Sequence, residues 1–350
     1  MTRLQLVVVG PGLIGAKHIN LIKDSDQVVL NSIVAPSSNE NHLIAKTHNS
    51  PLYLTLEECL QKERVDGVII SSPNEFHFEQ ASACIEANIP VLIEKPITVN
   101  LKEAWSLVKL VQQRQAKVLI GHHRTYSALL TTAKEELQSG RLGRLVSVVG
   151  SAQFCKPAHY FDDAPWRTVS GGGPILINLI HEIGIMRSLI GEIKAVQAVA
   201  STAVRNFSVE DTVAINLVFK NGVLGTFMLS DAAATAKSWE QTSGENPDYP
   251  AYPDEDCYFI AGTRGSLSFP SMRLKYYPYG TESSWWNSFA ELKLPISHID
   301  PMRLQLEHFI GVINGSEVPI VSAWDGYKNL QIIDSIKAAI TGRCTVEIED

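Results

Sequence analysis

The chain is predicted to be an α/β protein, a doubly wound parallel sheet followed by an α+β half on a mostly antiparallel open sheet. Two observations predict this. Before residue 124, continuous apolar runs alternate with segments of helical spacing across short connections. Strands without polar alternation are those buried on both faces of a parallel sheet. After residue 124 the strand candidates follow one another, and two of them flank the hairpin signal Asn221-Gly222. A length of 350 residues suits two domains of roughly 150 each. The expected division is 1–123 and 124–350.

The elements of the first half follow in order. Leu4 to Val9 is a β-branched apolar strand, and Leu13 to Lys23 has helical spacing. Val28 to Val34 is apolar again, and a polar helix is expected from about Asn39 to His48. Thr55-Leu56-Glu57-Glu58 has the form of a capping box opening a short helix that ends near Glu63. Val65 to Ser71 reads as a buried strand, Glu75 to Asn88 as a helix and Pro90 to Glu94 as a strand. Asn100-Leu101-Lys102-Glu103 caps a helix running to about Ala116, before a last strand from Lys117 to Gly121.

In the second half, a helix at Ala128 to Ser139 precedes a strand at Leu145 to Phe154. A loop with Pro157, Pro165 and Trp166 leads through Gly171-Gly172-Gly173 into a helix from Pro174 to Ile190. Strands are expected at Ala195 to Thr202, Asp211 to Phe219 and Val223 to Ser230. Residues 237–256, rich in Pro, Asp, Glu and Ser, read as a long surface loop. Two strands surround Gly262-Thr263-Arg264-Gly265, and helices fill Pro301 to Asn314 and Ser322 to Thr341.

Charge and composition exclude several functions. Lys and Arg number 30 against 37 Asp and Glu, a net charge of −7. A nucleic-acid or anionic-membrane partner would leave a basic footprint instead. With 45% hydrophobic and 19% charged residues the chain can bury large cores. No apolar run approaches the ~18 residues of a membrane span. Met1-Thr2-Arg3 enters the first strand with no cleavage-site pattern, so a soluble cytoplasmic protein is expected. The five cysteines (59, 84, 155, 257 and 344) are scattered and lack metal-ligand spacing, so neither a disulfide framework nor a metal site is expected.

Gly10-Pro11-Gly12-Leu13-Ile14-Gly15 has the form G-x-G-x-x-G between a strand and a helix. In that context the glycines allow a tight turn, close backbone approach to a pyrophosphate, and close packing of helix on strand. The free N–H groups of Leu13, Ile14 and Gly15, at the positive end of the helix dipole, suit a phosphate. About 20 residues on, an NAD binder places an acidic residue against the ribose hydroxyls. Here the strand ends Val34-Ala35-Pro36-Ser37-Ser38 without a carboxylate. Nothing there repels a 2′-phosphate, and Ser37 and Ser38 are placed to donate to one. NADP is therefore favoured, with NAD the alternative.

Two further segments carry chemistry. Glu94-Lys95-Pro96 closes the strand that starts at Pro90, at the sheet edge where open α/β folds bind ligands. Asn178 and His181, spaced i and i+3, fall on one face of the helix after the triple glycine. Taken with Ser72-Pro73-Asn74, His77, Gly121-His122-His123-Arg124 and Trp166-Arg167, these motifs make the chain resemble one family over nearly its whole length. That family is the glucose–fructose oxidoreductase / inositol dehydrogenase / rhizopine-catabolism group (Gfo/Idh/MocA).

The resemblance implies an N-terminal Rossmann domain and a C-terminal domain whose open sheet forms a homodimer or homotetramer interface. It implies NAD(P)-linked oxidation or reduction of a sugar, anhydrosugar or cyclitol, a small-molecule substrate. Lys95 would match the catalytic lysine and His181 the catalytic or substrate-orienting histidine. Ser72, Pro73, Asn74, His77, Glu94 and Arg124 would line the cofactor, with Trp166 and Arg167 closing over it. The family's aspartate four residues before the histidine is Ile177 here, and Asn178 is the nearby polar substitute. Redox-neutral glycoside cleavage with retained NAD and a non-catalytic nucleotide sensor remain as alternatives. Asp248, Asp254, Glu255 and Asp256, with Tyr249 and Tyr252, are either a substrate mouth or a solvated loop. Trp285-Trp286 is either a lid or interface element or part of the core.

Overall fold

The computed structural model describes residues 3–297 and 299–349. Its first elements are β1 (Leu4–Val9), α1 (Leu13–Lys23), β2 (Val28–Val34), α2 (Asn39–Thr47), β3 (Leu52–Tyr53) and α3 (Leu56–Lys62). There follow β4 (Gly67–Ile70), α4 (His77–Glu86), β5 (Val91–Glu94), α5 (Leu101–Arg114) and β6 (Val118–Gly121). The strands form one six-stranded sheet, ordered β3-β2-β1-β4-β5-β6, with every pair parallel. The order reverses between β1 and β4, the switch point at which a Rossmann sheet opens its ligand crevice.

Local chemistry sets the helix starts. The Thr55 hydroxyl accepts from the Glu58 N–H at 3.2 Å, and the side-chain Oδ1 of Asn100 accepts from the Glu103 N–H at 3.0 Å. The helix expected from Glu75 opens with a 3₁₀ turn, Asn74–Phe76, before α4. Strand β3 is too short for its pattern to register in the sequence.

The second half contains α6 (Ala128–Gln138), β7 (Leu145–Gln153), α7 (Ala158–Asp162), α8 (Ile180–Ile190), β8 (Ile193–Ser201), β9 (Thr212–Phe219) and β10 (Leu224–Ser230). After them come α9 (Trp239–Thr242), β11 (Tyr258–Gly262), β12 (Gly265–Phe269), β13 (Arg273–Tyr276) and β14 (Ala290–Lys293). The chain closes with α10 (Pro301–Asn314), α11 (Ala323–Gly342) and β15 (Val346–Glu347). The nine-stranded sheet runs β14-β13-β12-β11-β7-β10-β9-β8-β15. Only the β7–β10 pair is parallel among those described.

One face of this sheet is packed and the other is open. Val213, Ile215, Leu217 and Phe219 of β9 point inward to a core shared with Ile183 and Met186 of α8 and Ile333 and Ile336 of α11. On the opposite face Val146, Val149, Leu224, Met228 and Phe259 are exposed.

Three expectations are corrected. The helix expected from Pro174 to Ile190 starts with a π turn, Ile175–Leu179, so the α-helical i, i+3 alignment of Asn178 with His181 does not hold across that junction. Within 237–256, residues Ser238, Trp239 and Thr242 are buried, because Trp239 joins the core. Strands β13 and β14 went unforeseen because each spans only four residues, too few for the alternation of charged Arg273, Lys275, Glu291 and Lys293 with Leu274, Tyr276, Ala290 and Leu292 to stand out.

The chain divides into two compact units: residues to His123 with Met302–Leu330, and Arg124–Pro301 with Gln331 onward. Residues 302–330 thus belong to the first unit, where Leu306, Phe309 and Ile310 pack against the core of the parallel sheet.

Candidate functional site

In the first unit, the turn between β1 and α1 is built around contacts that only glycine allows. Gly10 has φ of +81°, and a Cβ on it would lie 2.7 Å from the Ser72 backbone. A Cβ on Gly15 would lie 2.0 Å from the Gly10 carbonyl oxygen. The Ser71 hydroxyl locks the turn by donating to the carbonyls of Val9 and Gly10 at 2.9 and 2.8 Å. Above Gly12 there is open space. Gly12 is the N-cap of α1 and supplies no side-chain cap, and the first turn, with Leu13 and Ile14, has no acidic residue. The helix end is thus left to attract an anion.

Ser72, Pro73 and Asn74 follow β4 beside this turn. Ser72 donates through its hydroxyl to Gln80 at 2.6 Å, which fixes the loop. His77 is fully buried. Its Nδ1 lies 2.9 Å from the Pro96 carbonyl and its Nε2 2.9 Å from the Ser72 carbonyl. The ring therefore ties two loops together. Burial also pushes the His77 imidazole below its ordinary range, against the pull of those carbonyls.

Glu94 is buried too, with its carboxylate 2.8 Å from Nε2 of His18 on α1. A Cβ at Gly121 would come within 2.9 Å of that carboxyl group, so β6 leaves it the room it occupies. Burial pushes the Glu94 carboxyl up, but the His18 hydrogen bond and the charges of His18, His123 and Lys95 together hold it below its ordinary value. Lys95, half-buried, follows directly and joins Pro96 through a cis peptide bond. Glycine turn, Ser72 loop and Lys95 loop are therefore bound into one edge. Ser37 and Ser38 lie exposed after β2, Ser37 beside His42 at 3.1 Å and Ser38 accepting from the Asn41 N–H at 3.1 Å.

Gly15→Ala is expected to weaken dinucleotide binding about a hundredfold, because its methyl group must displace the Gly10 carbonyl that shapes the turn. Fluorescence titration with NADPH and NADH measures it, and parental affinity would show that the turn has no part in binding.

In the second unit, Arg124 is held inside the protein. Its guanidinium is buried, ion-paired with both Glu182 and Glu240, and Tyr258 donates its hydroxyl to Glu182. This network anchors α8 at the residue after His181, which is itself buried. Trp166 is exposed, whereas the Arg167 guanidinium stacks 3.8 Å from the centre of the Tyr160 ring and donates to the Tyr160 carbonyl at 2.5 Å.

Asn178 accepts at Oδ1 from the ammonium of Lys156, 2.9 Å away. Lys156 went unnoticed in the sequence. Its signal was the Lys156-Pro157 pair, which repeats the Lys95-Pro96 pattern. His18 was equally unforeseen, because only the fold brings it to Glu94. The acidic loop splits in role: Asp256 accepts from the N–H and hydroxyl of Ser271, while Glu255 pairs with Lys237. Trp285 and Trp286 are exposed, edge to face at 5.8 Å, and so lie outside the core.

Comparison with known proteins identifies both halves of the chain. Residues 4–122 match the oxidoreductase family with an NAD-binding Rossmann fold, and residues 130–268 match the GFO/IDH/MocA C-terminal domain. The chain is 30% identical to 1,5-anhydro-D-fructose reductase of Ensifer adhaerens over 84% of this chain and 83% of that one. The chain belongs to the Gfo/Idh/MocA family.

Another relative, inositol 2-dehydrogenase of Rhodococcus erythropolis, is 29% identical over 57% of each chain. The fold matches that of the WlbA dehydrogenase from Bordetella pertussis, solved with NADH and UDP-GlcNAcA, at a TM-score of 0.80, 19% identity and full coverage of both chains. As a Gfo/Idh/MocA protein, the chain is an NAD(P)-dependent oxidoreductase. Its residues fit such a cofactor, since the uncapped, acid-free start of α1 and the open space over Gly12 suit a pyrophosphate. No helix among the described residues is long and apolar enough to cross a membrane.

Proposed function

We propose that the protein interconverts a secondary hydroxyl and a keto group of a sugar, anhydrosugar or cyclitol, with NADP preferred to NAD. The observation that carries this reading is the open glycine turn at the start of α1, bound into one sheet edge with Lys95. The names of the anhydrofructose-reductase and inositol-dehydrogenase relatives support the substrate class. When bound, the nicotinamide cofactor supplies the hydride acceptor or donor. Gly10, Gly12, Leu13, Ile14 and Gly15 would hold its pyrophosphate, and Ser72, Pro73, Asn74 and Glu94 would border it.

The chain's own part is proton handling. Lys95 takes the proton from the substrate hydroxyl during oxidation and returns it during reduction. Glu94, kept charged by His18, and His77, clamping Pro96, hold the backbone on either side of that lysine. His181 orients the substrate hydroxyl from α8, whose position is fixed by the Glu182 network. The apolar side chains on the open sheet face support a homodimer or homotetramer formed there.

Screening sugars, anhydrosugars and cyclitols with NAD and NADP in parallel tests the reading. A change in nicotinamide absorbance with one of these substrates supports it, and no change across the panel overturns it. Ser37→Asp tests the cofactor preference. A carboxylate after β2 should repel a 2′-phosphate and lower the ratio of NADP to NAD use about tenfold. An unchanged ratio would show that this position does not select the cofactor.

A further inference from the structure

Lys156 follows β7, and its side chain is only 10% exposed. The ammonium donates to Asn178 at 2.9 Å and lies 3.6 Å from Oδ2 of Asp231. That carboxylate is already engaged, because its Oδ1 accepts from Nε of Arg205 at 2.8 Å. The Arg205 guanidinium also donates to the carbonyls of Asp231 and Lys156. Asp211, the other buried acid close by, accepts from the N–H groups of Val204 and Arg205 and from the Thr212 hydroxyl.

Arg167 adds a third cation, stacked on the same Tyr160 ring that the Lys156 ammonium faces at 4.8 Å. Phe154 and Phe161 complete the apolar surround of the cations. The ammonium is thus nearly buried, leaned on by two guanidiniums, and shares its carboxylate with one of them. Burial, with those two cations adding to it against the pull of Asp231, lowers the lysine to about 8.

We propose that Lys156, with Asn178, forms a subsite for a carboxylate group carried by the substrate, so that the enzyme prefers a uronic acid to the matching neutral sugar. An ammonium has three N–H donors, and Asn178 takes one. A carboxylate oxygen meets another and adds counter-charge to the single Asp231 carboxylate that Lys156 shares with Arg205, which a neutral hydroxyl does not. Asn178 then orients the ammonium and takes no proton itself. This subsite rests on the redox reading above and narrows its substrate class.

The test compares D-glucuronate with D-glucose, and D-galacturonate with D-galactose, in the parental enzyme and in Lys156→Met and Lys156→Arg. The parental kcat/KM should favour the uronates, and Lys156→Met should cut that ratio about a hundredfold, with Lys156→Arg restoring part of it. Calorimetric titration of D-glucuronate into the parental protein with NADP present needs neither turnover nor a folded variant. Uronate binding without turnover keeps the subsite and removes the redox reading. Turnover of neutral sugars with no uronate preference, or a preference that survives in Lys156→Met, overturns the subsite and leaves the redox reading standing.

Discussion

Lys95→Met is expected to bind dinucleotide as the parent does and to turn over about a thousandfold more slowly, roughly 4 kcal/mol of lost transition-state stabilisation. Methionine keeps the length and apolar stem of lysine and removes only the ammonium. The loop around it has ties that do not involve the ammonium. On one side the Glu94 carboxylate is held by His18, and on the other the Pro96 carbonyl is held by His77. The cradle at Gly10 to Gly15 is built from backbone and the Ser71 hydroxyl, so it survives the change. Fluorescence titration and initial rates separate the two effects. Parental turnover in the variant would exclude Lys95 from the chemistry, and loss of dinucleotide affinity would move it into binding.

Arg124→Met is expected to destabilise the second unit by about 3–5 kcal/mol, the usual cost of stranding a buried charge. Glu182 is 1% exposed, and its carboxylate relies on Arg124 and the Tyr258 hydroxyl. Its carboxyl is already raised, by burial foremost, against the pull of Arg124 and Tyr258. Removing the guanidinium raises it further. A carboxyl whose folded pKa is raised binds more protons folded than unfolded, so stability falls as pH rises past the ordinary carboxylate range. The deficit of the variant should therefore grow between about pH 5 and about pH 8. Urea denaturation at both ends of that range measures it. A variant as stable as the parent, with no pH trend, would show that the ion pairs contribute nothing to the unit.

The features legible in the sequence are those whose cause lies within a few residues. Continuous apolar strands, the caps at Thr55 and Asn100, and the glycine turn at Gly10 to Gly15 all answer to local backbone or burial demands. The hairpin at Asn221-Gly222 is another, with φ of +85° at Gly222. What escaped depends on distance along the chain. His18 meets Glu94 across 76 positions, and Tyr258 meets Glu182 across 76 more. The sequence displays the residue type of Arg124 and His77 but neither their burial nor the internal ties each makes. Lys156 was hidden for the same reason, since its neighbours Asn178, Asp231 and Arg205 come from separate segments.

The vacancy that Gly121 leaves beside the Glu94 carboxyl couples the last strand of the parallel sheet to the lysine one step along the chain from that carboxyl. A Cβ at 121 would press on the carboxyl end of the acid at 2.9 Å, and that end would have to shift beside the loop carrying the amine. The cost of such a change would fall on reactivity before it fell on folding. A single hydrogen atom on β6 is therefore what leaves the acid beside Lys95 its room.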